Sequence, residues 1–277
     1  MSWWIITRKN LAWIVSGSLC ALVIFVGPVL IMVWSGFRRS ADVMKGSPPW
    51  EDPLTLENFE RIFRNYDFGK CVINSLIVAG GSTLIGLVIG VPAAYSLVRS
   101  SSKGLGWLLL AARMAPGVLL ITPIFRATVQ LGVNLNVGLN FATLILVHMI
   151  VTLPLVVWLV VPSIRVLPVE VEEAAMLDGA ALGERFFYVV VPLISRGLAV
   201  ASVTAFVASW NTFLFPLVLA THDTMTLPVM SFSFIGQGNA DYGGLMAAVS
   251  LMTVPAILLS MMLQPWVVRG MTGSILA

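Results

Sequence analysis

Charge is scarce in this sequence. Asp, Glu, Lys and Arg together make up 10% of its 277 residues, against about a quarter in an ordinary water-soluble domain. Apolar residues make up 58%, and the mean hydropathy is +0.95. So few charges do not coat a water-facing surface, and the composition places the chain in a lipid bilayer. Sixteen Lys and Arg stand against thirteen Asp and Glu, and no basic run interleaved with aromatics points to nucleic acid. Cysteine is nearly absent. Cys20 and Cys71 have neither CxxC nor Cys/His spacing, so they read as small apolar fillers rather than a redox pair or metal ligands. No GxxxxGK(S/T) phosphate loop and no GxSxG elbow occur, so nucleotide binding and serine hydrolysis have no signature here.

Long apolar runs are what the chain has. About 20 apolar residues cross the hydrocarbon core as a helix, because every backbone polar group must be satisfied inside the segment. By that rule there are six spans, Leu11–Phe37, Val72–Val98, Leu105–Leu131, Leu139–Ser163, Leu193–Ala220 and Gly243–Val268. The expected fold is therefore an all-α polytopic membrane protein with six transmembrane helices, in one domain covering 1–277. The first run is too long for a signal-peptide core of about 7–15 residues and no A-x-A-like site follows it, so it reads as a retained span. Asn134, Asn136, Gly138 and Asn140 make a tight turn between the third and fourth spans. Met114-Ala115-Pro116-Gly117 and Pro123 mark the third as kinked. Arg113 and Arg126, the charges well inside that run, read as snorkelling toward the two interfaces, with an ion-pair or substrate role as the alternative.

All thirteen carboxylates lie outside the six spans. Proton-driven transporters commonly carry an intramembrane carboxylate as a relay, so that class is disfavoured. A sodium-coupled secondary transporter, with sites built from unwound backbone carbonyls, stays open as the alternative. His148 lies in the fourth span without a spaced Asp, Glu or Cys partner for general-base or metal chemistry, and reads as a helix-packing or pathway histidine. His222 and Asp223 read as a solvated loop pair.

Two polar segments separate the spans. Residues 38–70 hold six basic and six acidic residues around Pro48-Pro49. With the N-terminus inside, the inner side carries Arg8, Lys9, Arg99, Lys103, Arg165, Arg185, Arg196 and Arg269, eight against the six of loop 38–70. That count places both termini in the cytoplasm, although Arg38 and Arg39 directly after the first span argue the other way. The second polar segment, 165–191, contains PVEVEEAAMLDGAALGERFFYVVVP from Pro168 to Pro192. Pro168 opens a helix, Glu170, Glu172 and Glu173 complement its N-terminal dipole, and Asp178-Gly179 ends it. A second short helix follows through Glu184, Arg185, Phe186 and Phe187, and Pro192 opens the fifth span. Small residues with apolar anchors let such a helix seat in a partner's groove. The alternative is a helix resting on lipid, but those favour Lys and Arg, and this segment has five carboxylates against Arg165 and Arg185.

The order Glu173, Ala174, Ala175, three residues, Gly179, and Pro192 thirteen residues later resembles the EAA loop of ABC importer permeases. Val189 and Val191 stand where that pattern has Ile and Leu. Asn74-Ser75, Ala93-Ala94-Tyr95, Trp210-Asn211, Phe213-Leu214 and Arg269-Gly270-Met271-Thr272 resemble the carbohydrate-importer permeases related to the maltose permease, from about Leu56 to the end of the chain.

The resemblance implies a bacterial inner-membrane subunit that forms half of a translocation pathway for a carbohydrate-like solute. Its implied partners are a homologous second permease, two ATPase subunits and an extracytoplasmic solute-binding protein. ATP and Mg would bind the ATPase chains and no cofactor this one, and the chain itself would catalyse no reaction. Glu173, Ala174, Ala175, Met176, Leu177, Asp178, Gly179 and Pro192 would then form the ATPase-coupling loop on the cytoplasmic face, carrying movement into the spans. Loop 38–70 would face outward as a binding-protein contact or a solvated cap. Sugars are recognised by aromatic faces and by amide or carboxylate groups, which singles out Trp210 and Asn211, then His148 and Asn74, as pathway candidates. The competing reading is that these polar residues join helices.

Overall fold

The computed structural model describes residues 8–48, 50–100, 104, 106, 117–132, 136–235 and 240–273, and side chains only between 13 and 262 of these. The regular structure of the described residues is helical, with no strand among them. The helices are α1 Arg8–Gly36, α2 Ser40–Lys45, α3 Glu57–Asn65, α4 Phe68–Arg99, α5 Gly117–Gln130 and α6 Val137–Arg165. There follow α7 Val169–Leu177, α8 Leu182–Leu193, α9 Ser195–Trp210, α10 Leu214–Leu219, α11 Leu227–Phe232 and α12 Tyr242–Gly273. Four stretches are long and apolar enough to cross a bilayer, namely Trp13–Gly36, Phe68–Arg99, Val137–Arg165 and Tyr242–Met262, with mean hydropathy between 2.0 and 2.7. The bent pair α8–α9 makes a fifth candidate. Most of the first half of the expected third span, with Arg113 and Met114-Ala115-Pro116, lies outside the described residues. Its second half is the 14-residue apolar α5, in which Pro123 is accommodated and Arg126 is exposed.

The chain divides into two compact units. In the first, Met1–Asp67 with Ser231–Met252, a polar network organises the segment after α1. Arg38, 3% exposed, is paired with Asp52 and donates to the Ser47 carbonyl at 3.1 Å and its hydroxyl at 2.8 Å. The Asn58 amide donates to the carbonyls of Gly36 and Arg38 at 2.8 and 2.7 Å. Asp241 receives Arg61 at 2.9 Å and is bonded by the Ser40 hydroxyl. This segment is a built structure, and Arg38 stands after α1 because the fold uses it.

The second unit, Phe68–Met230 with Thr253–Ala277, has α4, α6 and α9 at its centre. Lipid supplies no hydrophobic drive between helices, so close packing of small residues and interhelical hydrogen bonds hold them. Gly86 and Gly90, four apart on α4, face Thr152 and Val156 of α6, and a Cβ on Gly90 would lie 2.9 Å from Val156 Cγ1. Ala201 and Ala205, with the same spacing on α9, are fully buried in the same core with Val157, Val160, Val161 and Ile164. The hydroxyls of Ser82 and Ser209 join α4 to α9 at 2.9 Å, and Thr152 donates to the Ser82 carbonyl at 3.1 Å. At the other end of α6, Asn136 caps the helix by accepting from Leu139 N at 3.1 Å.

The expected continuous fifth span, 193–220, is replaced by two helices. α9 begins at Ser195, across a bend of 78° from α8, so Pro192 lies within α8 instead of opening the span. Pro192 has no N–H for the carbonyl four residues back, and upstream of it the ladder lengthens to i→i−5 over Arg185–Val190, with Val191 N donating to Phe186 O. α9 stops at Trp210, where Asn211 and Thr212 return their side chains to the carbonyls of Val207 and Ala208 at 2.8 and 2.9 Å. Pro216 fits because it falls in the first turn of the new helix α10, where no i→i−4 donor is needed.

Candidate functional site

The segment predicted to be a helix, a glycine turn and a second helix folds so. Pro168 precedes α7, whose first turn carries Glu170 and Glu172. The helix ends at Gly179 with φ +88°, a left-handed conformation that glycine adopts without strain. Gly179 N donates to Met176 O and Ala180 N to Ala175 O, both at 3.0 Å, the paired bonds of a Schellman turn that satisfy two end carbonyls. α8 opens with the Glu184 carboxylate accepting from Ala181 N at 2.7 Å.

The two faces of α7 differ in chemistry. Glu172, 5% exposed, points inward. Its Oε1 accepts from Arg99 Nε at 2.9 Å and Nη2 at 2.5 Å, and its Oε2 from the Tyr95 hydroxyl at 2.6 Å. Both donors stand one turn apart at the end of α4. Arg99 Nη2 also reaches Leu167 O at 3.3 Å, and the Tyr95 ring meets buried Phe186 of α8 edge-on at 5.3 Å. Glu173, Ala174, Met176, Leu177 and Asp178 are exposed, Leu177 at 89%; Ala175 is half-buried. An apolar pair, Met176 and Leu177, thus stands out beside exposed carboxylates.

Sequence reasoning missed Glu172, Arg99 and Tyr95 as a unit. In the sequence Arg99 reads as one more cytoplasmic charge, and Glu172 as one of three carboxylates at a helix start. The available signal was the spacing of Tyr95 and Arg99, i and i+4 on one helix face, which presents two donors to one carboxylate.

The other predicted positions gather around the start of α10. Trp210, 2% exposed, stacks on Phe206 at a centroid distance of 5.7 Å. His148, 1% exposed, bonds the Leu144 carbonyl through Nδ1 at 2.6 Å, and its ring is 6.3 Å from Phe215. With Ser75, Ser209, Thr212 and Thr226, these two side chains line a void of about 10 Å³, room for about one water. Asn74 donates to the carbonyls of Asp223 and Met225 at 3.0 and 2.8 Å, so it ties α4 to the connection after α10. Asn140 makes a parallel tie, donating to Leu219 O at 2.9 Å and accepting from the Thr224 hydroxyl at 2.5 Å. Asn211 alone among the four pathway candidates is exposed. Asp223 belongs to this region, where hydrogen bonding and charge from Lys70 at 2.6 Å hold its carboxyl below the usual range.

Comparison with known proteins agrees with this architecture. The family model for the binding-protein-dependent transport system inner membrane component matches residues 86–273. The chain is 33% identical to the trehalose transport system permease protein SugB of Mycobacterium tuberculosis, over 89% of this chain and 90% of that one. It is 30% identical to the trehalose/maltose transport system permease protein MalG of Thermococcus litoralis, over 95% of each. Among solved structures, a bacterial ABC transporter involved in import of the acidic polysaccharide alginate matches with a TM-score of 0.70 at 17% identity, covering 96% of this chain and 99% of that one. Another, of an alginate transporter in complex with a pentasaccharide-bound periplasmic protein, matches at 0.68 and 16%, covering 93% and 94%. These matches favour the importer reading over a sodium-coupled transporter. The chain belongs to the family of inner membrane components of binding-protein-dependent transport systems, the non-enzymatic membrane permease subunits of ABC importers.

Proposed function

We propose that this chain forms half of the translocation pathway of an ATP-driven importer for a carbohydrate-like solute, and that α7 with the Gly179 turn is where its ATPase docks. The observation that carries this reading is the two-faced α7. Its inner face is fixed to the bundle through Glu172, and its outer face offers Glu173, Met176 and Leu177 on a rigidly capped helix. A helix laid into a partner's groove uses apolar anchors of this kind with peripheral charges for register. A sugar solute is supported by relatives named for trehalose and for trehalose and maltose, and a binding-protein partner by the alginate transporter complex. The full assembly would comprise a second, homologous permease, two ATPase subunits that bind ATP and Mg, and an extracytoplasmic binding protein.

With α7 in the cytoplasm, both termini are cytoplasmic and the network of Arg38, Asp52, Asn58, Arg61 and Asp241 faces outward. The break at Asn211 between α9 and α10 is the site we assign to the pathway, with Asn211 as the accessible polar group, Trp210 and His148 beside it, and Asn74 at the connection that follows α10. In the test, tagged chain is purified in mild detergent from its native membrane, with Glu173→Lys in parallel. A second permease and an ATPase should copurify, and the variant should lose ATPase. A chain recovered alone, under conditions that keep a known importer intact, refutes the proposal.

A further inference from the structure

α7 is connected to the spans by three routes. The chain leads from α6 through Leu167 and Pro168 into its start, and out of its end through α8 and the 78° bend into α9. The third route is not covalent: it is the contact of Glu172 with Tyr95 and Arg99 at the end of α4. We infer that Tyr95, Arg99 and Glu172 are positioning residues that make α4 move as one body with α7, so that displacement of the docking loop reaches α4 as well as α6 and α9. This inference rests on the coupling role proposed for α7.

The chemistry favours this over simple adhesion. A carboxylate is costly to bury unless charged and polar partners surround it, and an apolar residue would fill the position without that demand. Here both oxygens are engaged, by a two-point guanidinium contact and by a hydroxyl one helical turn away. Such an arrangement is directional and loses its bonds on small displacements, so it fixes register between two elements. The same guanidinium reaches Leu167 O, which binds the entrance of α7 to the same point. Tyr95 continues the contact onto Phe186 of α8. α4 is the helix to hold, because Gly86 and Gly90 bring it against α6 and Ser82 joins it to Ser209 of α9. Glu173, the neighbouring carboxylate, is exposed and free to face another chain.

The test uses the complete importer, purified with its own partners and reconstituted with its binding protein, measuring solute imported per ATP hydrolysed and ATPase retained on purification. Glu172→Gln and Arg99→Gln should retain ATPase at wild-type stoichiometry and continue to hydrolyse ATP, while solute per ATP falls about tenfold. Arg99→Lys, which keeps the charge but not the two-point contact or the reach to Leu167 O, should recover only part of that loss. Tyr95→Phe removes one donor but leaves the ring on Phe186, and should lower the ratio about threefold. A purely structural role would reduce the yield of complex, lowering hydrolysis and uptake together at an unchanged ratio, and that result overturns the inference. If the glutamine variants fail to assemble, Tyr95→Phe decides, and an unchanged ratio there overturns it as well. A wild-type chain with no bound ATPase and no ATP-dependent uptake would instead overturn the coupling role beneath it.

Discussion

Gly179 offers a graded test of whether the turn after α7 transmits movement. Its φ of +88° lies where an L side chain costs about 1–2 kcal/mol. A Cβ built there meets nothing within 4 Å, so Gly179→Ala should carry that backbone cost and no steric one. Asn tolerates the left-handed region better and should cost less than Ala. Proline cannot enter the region, because its ring fixes φ near about −65°, roughly 150° away. Gly179→Pro therefore abandons the turn. It loses the N–H to Met176 O and, with the chain redirected, the bond from Ala180 N to Ala175 O, each worth about 1 kcal/mol. Since the turn is exposed and its side-chain space is open, the spans should be unaffected and the chain should reach the membrane in normal amount. In the reconstituted importer, solute imported per ATP should fall in the order Asn, Ala, Pro, with ATP hydrolysis uncoupled from uptake in the proline variant. Wild-type uptake by Gly179→Pro would refute the reasoning, as would an alanine variant more impaired than the proline one.

Three further outcomes follow from the geometry. Leu177→Asp places a charge on a side chain that is 89% exposed; it should strip ATPase from the purified complex without moving the thermal midpoint of the chain, and a lowered midpoint would show that Leu177 serves the fold instead. Trp210→Ala should lower stability by about 3–5 kcal/mol through the cavity it opens beneath Phe206, whereas Asn211→Ala, which removes a bond to Val207 O, should cost about 1 kcal/mol and weaken solute uptake. Thermal unfolding separates the two, and equal midpoints would contradict the burial assigned to Trp210. In the segment after α1, the hydrogen bond from Arg38, then that from Ser47, holds the Asp52 carboxyl below its ordinary 3.8. A depressed carboxyl contributes stability that is complete above the unfolded value and lost as pH falls through the folded one. Wild type should thus lose more stability than Asp52→Asn between neutral pH and the range below 3.8, and parallel pH profiles would refute the pairing.

Hydropathy and turn chemistry made much of this molecule legible. The long apolar runs of α1, α4, α6 and α12 stand out by length alone, and Asp178-Gly179 marks the end of α7 because few other residue pairs suit a left-handed helix end. The break in the fifth apolar run was not legible in the same way. Asn211 and Thr212 are two polar residues in a long apolar stretch, and an average over the window passes across them. What breaks the helix is their return to the carbonyls of Val207 and Ala208, a local competition with the backbone that composition does not record. Polar residues in apolar runs have the same limit. Asn74 reads alike whether it meets a solute or, as here, two backbone carbonyls of a neighbouring connection.

The pair Glu172 and Glu173 sharpens the point. Adjacent residues on a helix point about 100° apart, so two neighbouring glutamates do not both point straight at the bundle, and nothing in their own identity says which one does. The decision lies 77 and 73 residues upstream, in the Tyr95 and Arg99 side chains that present three donors at the end of α4. Once those donors claim Glu172, Glu173 is left on the outer face with Met176 and Leu177. The exposed half of α7 is therefore set by the buried half. A change at Arg99, which lies outside the EAA-like sequence altogether, should weaken the hold of α4 on α7 while the ATPase stays bound to the outer face.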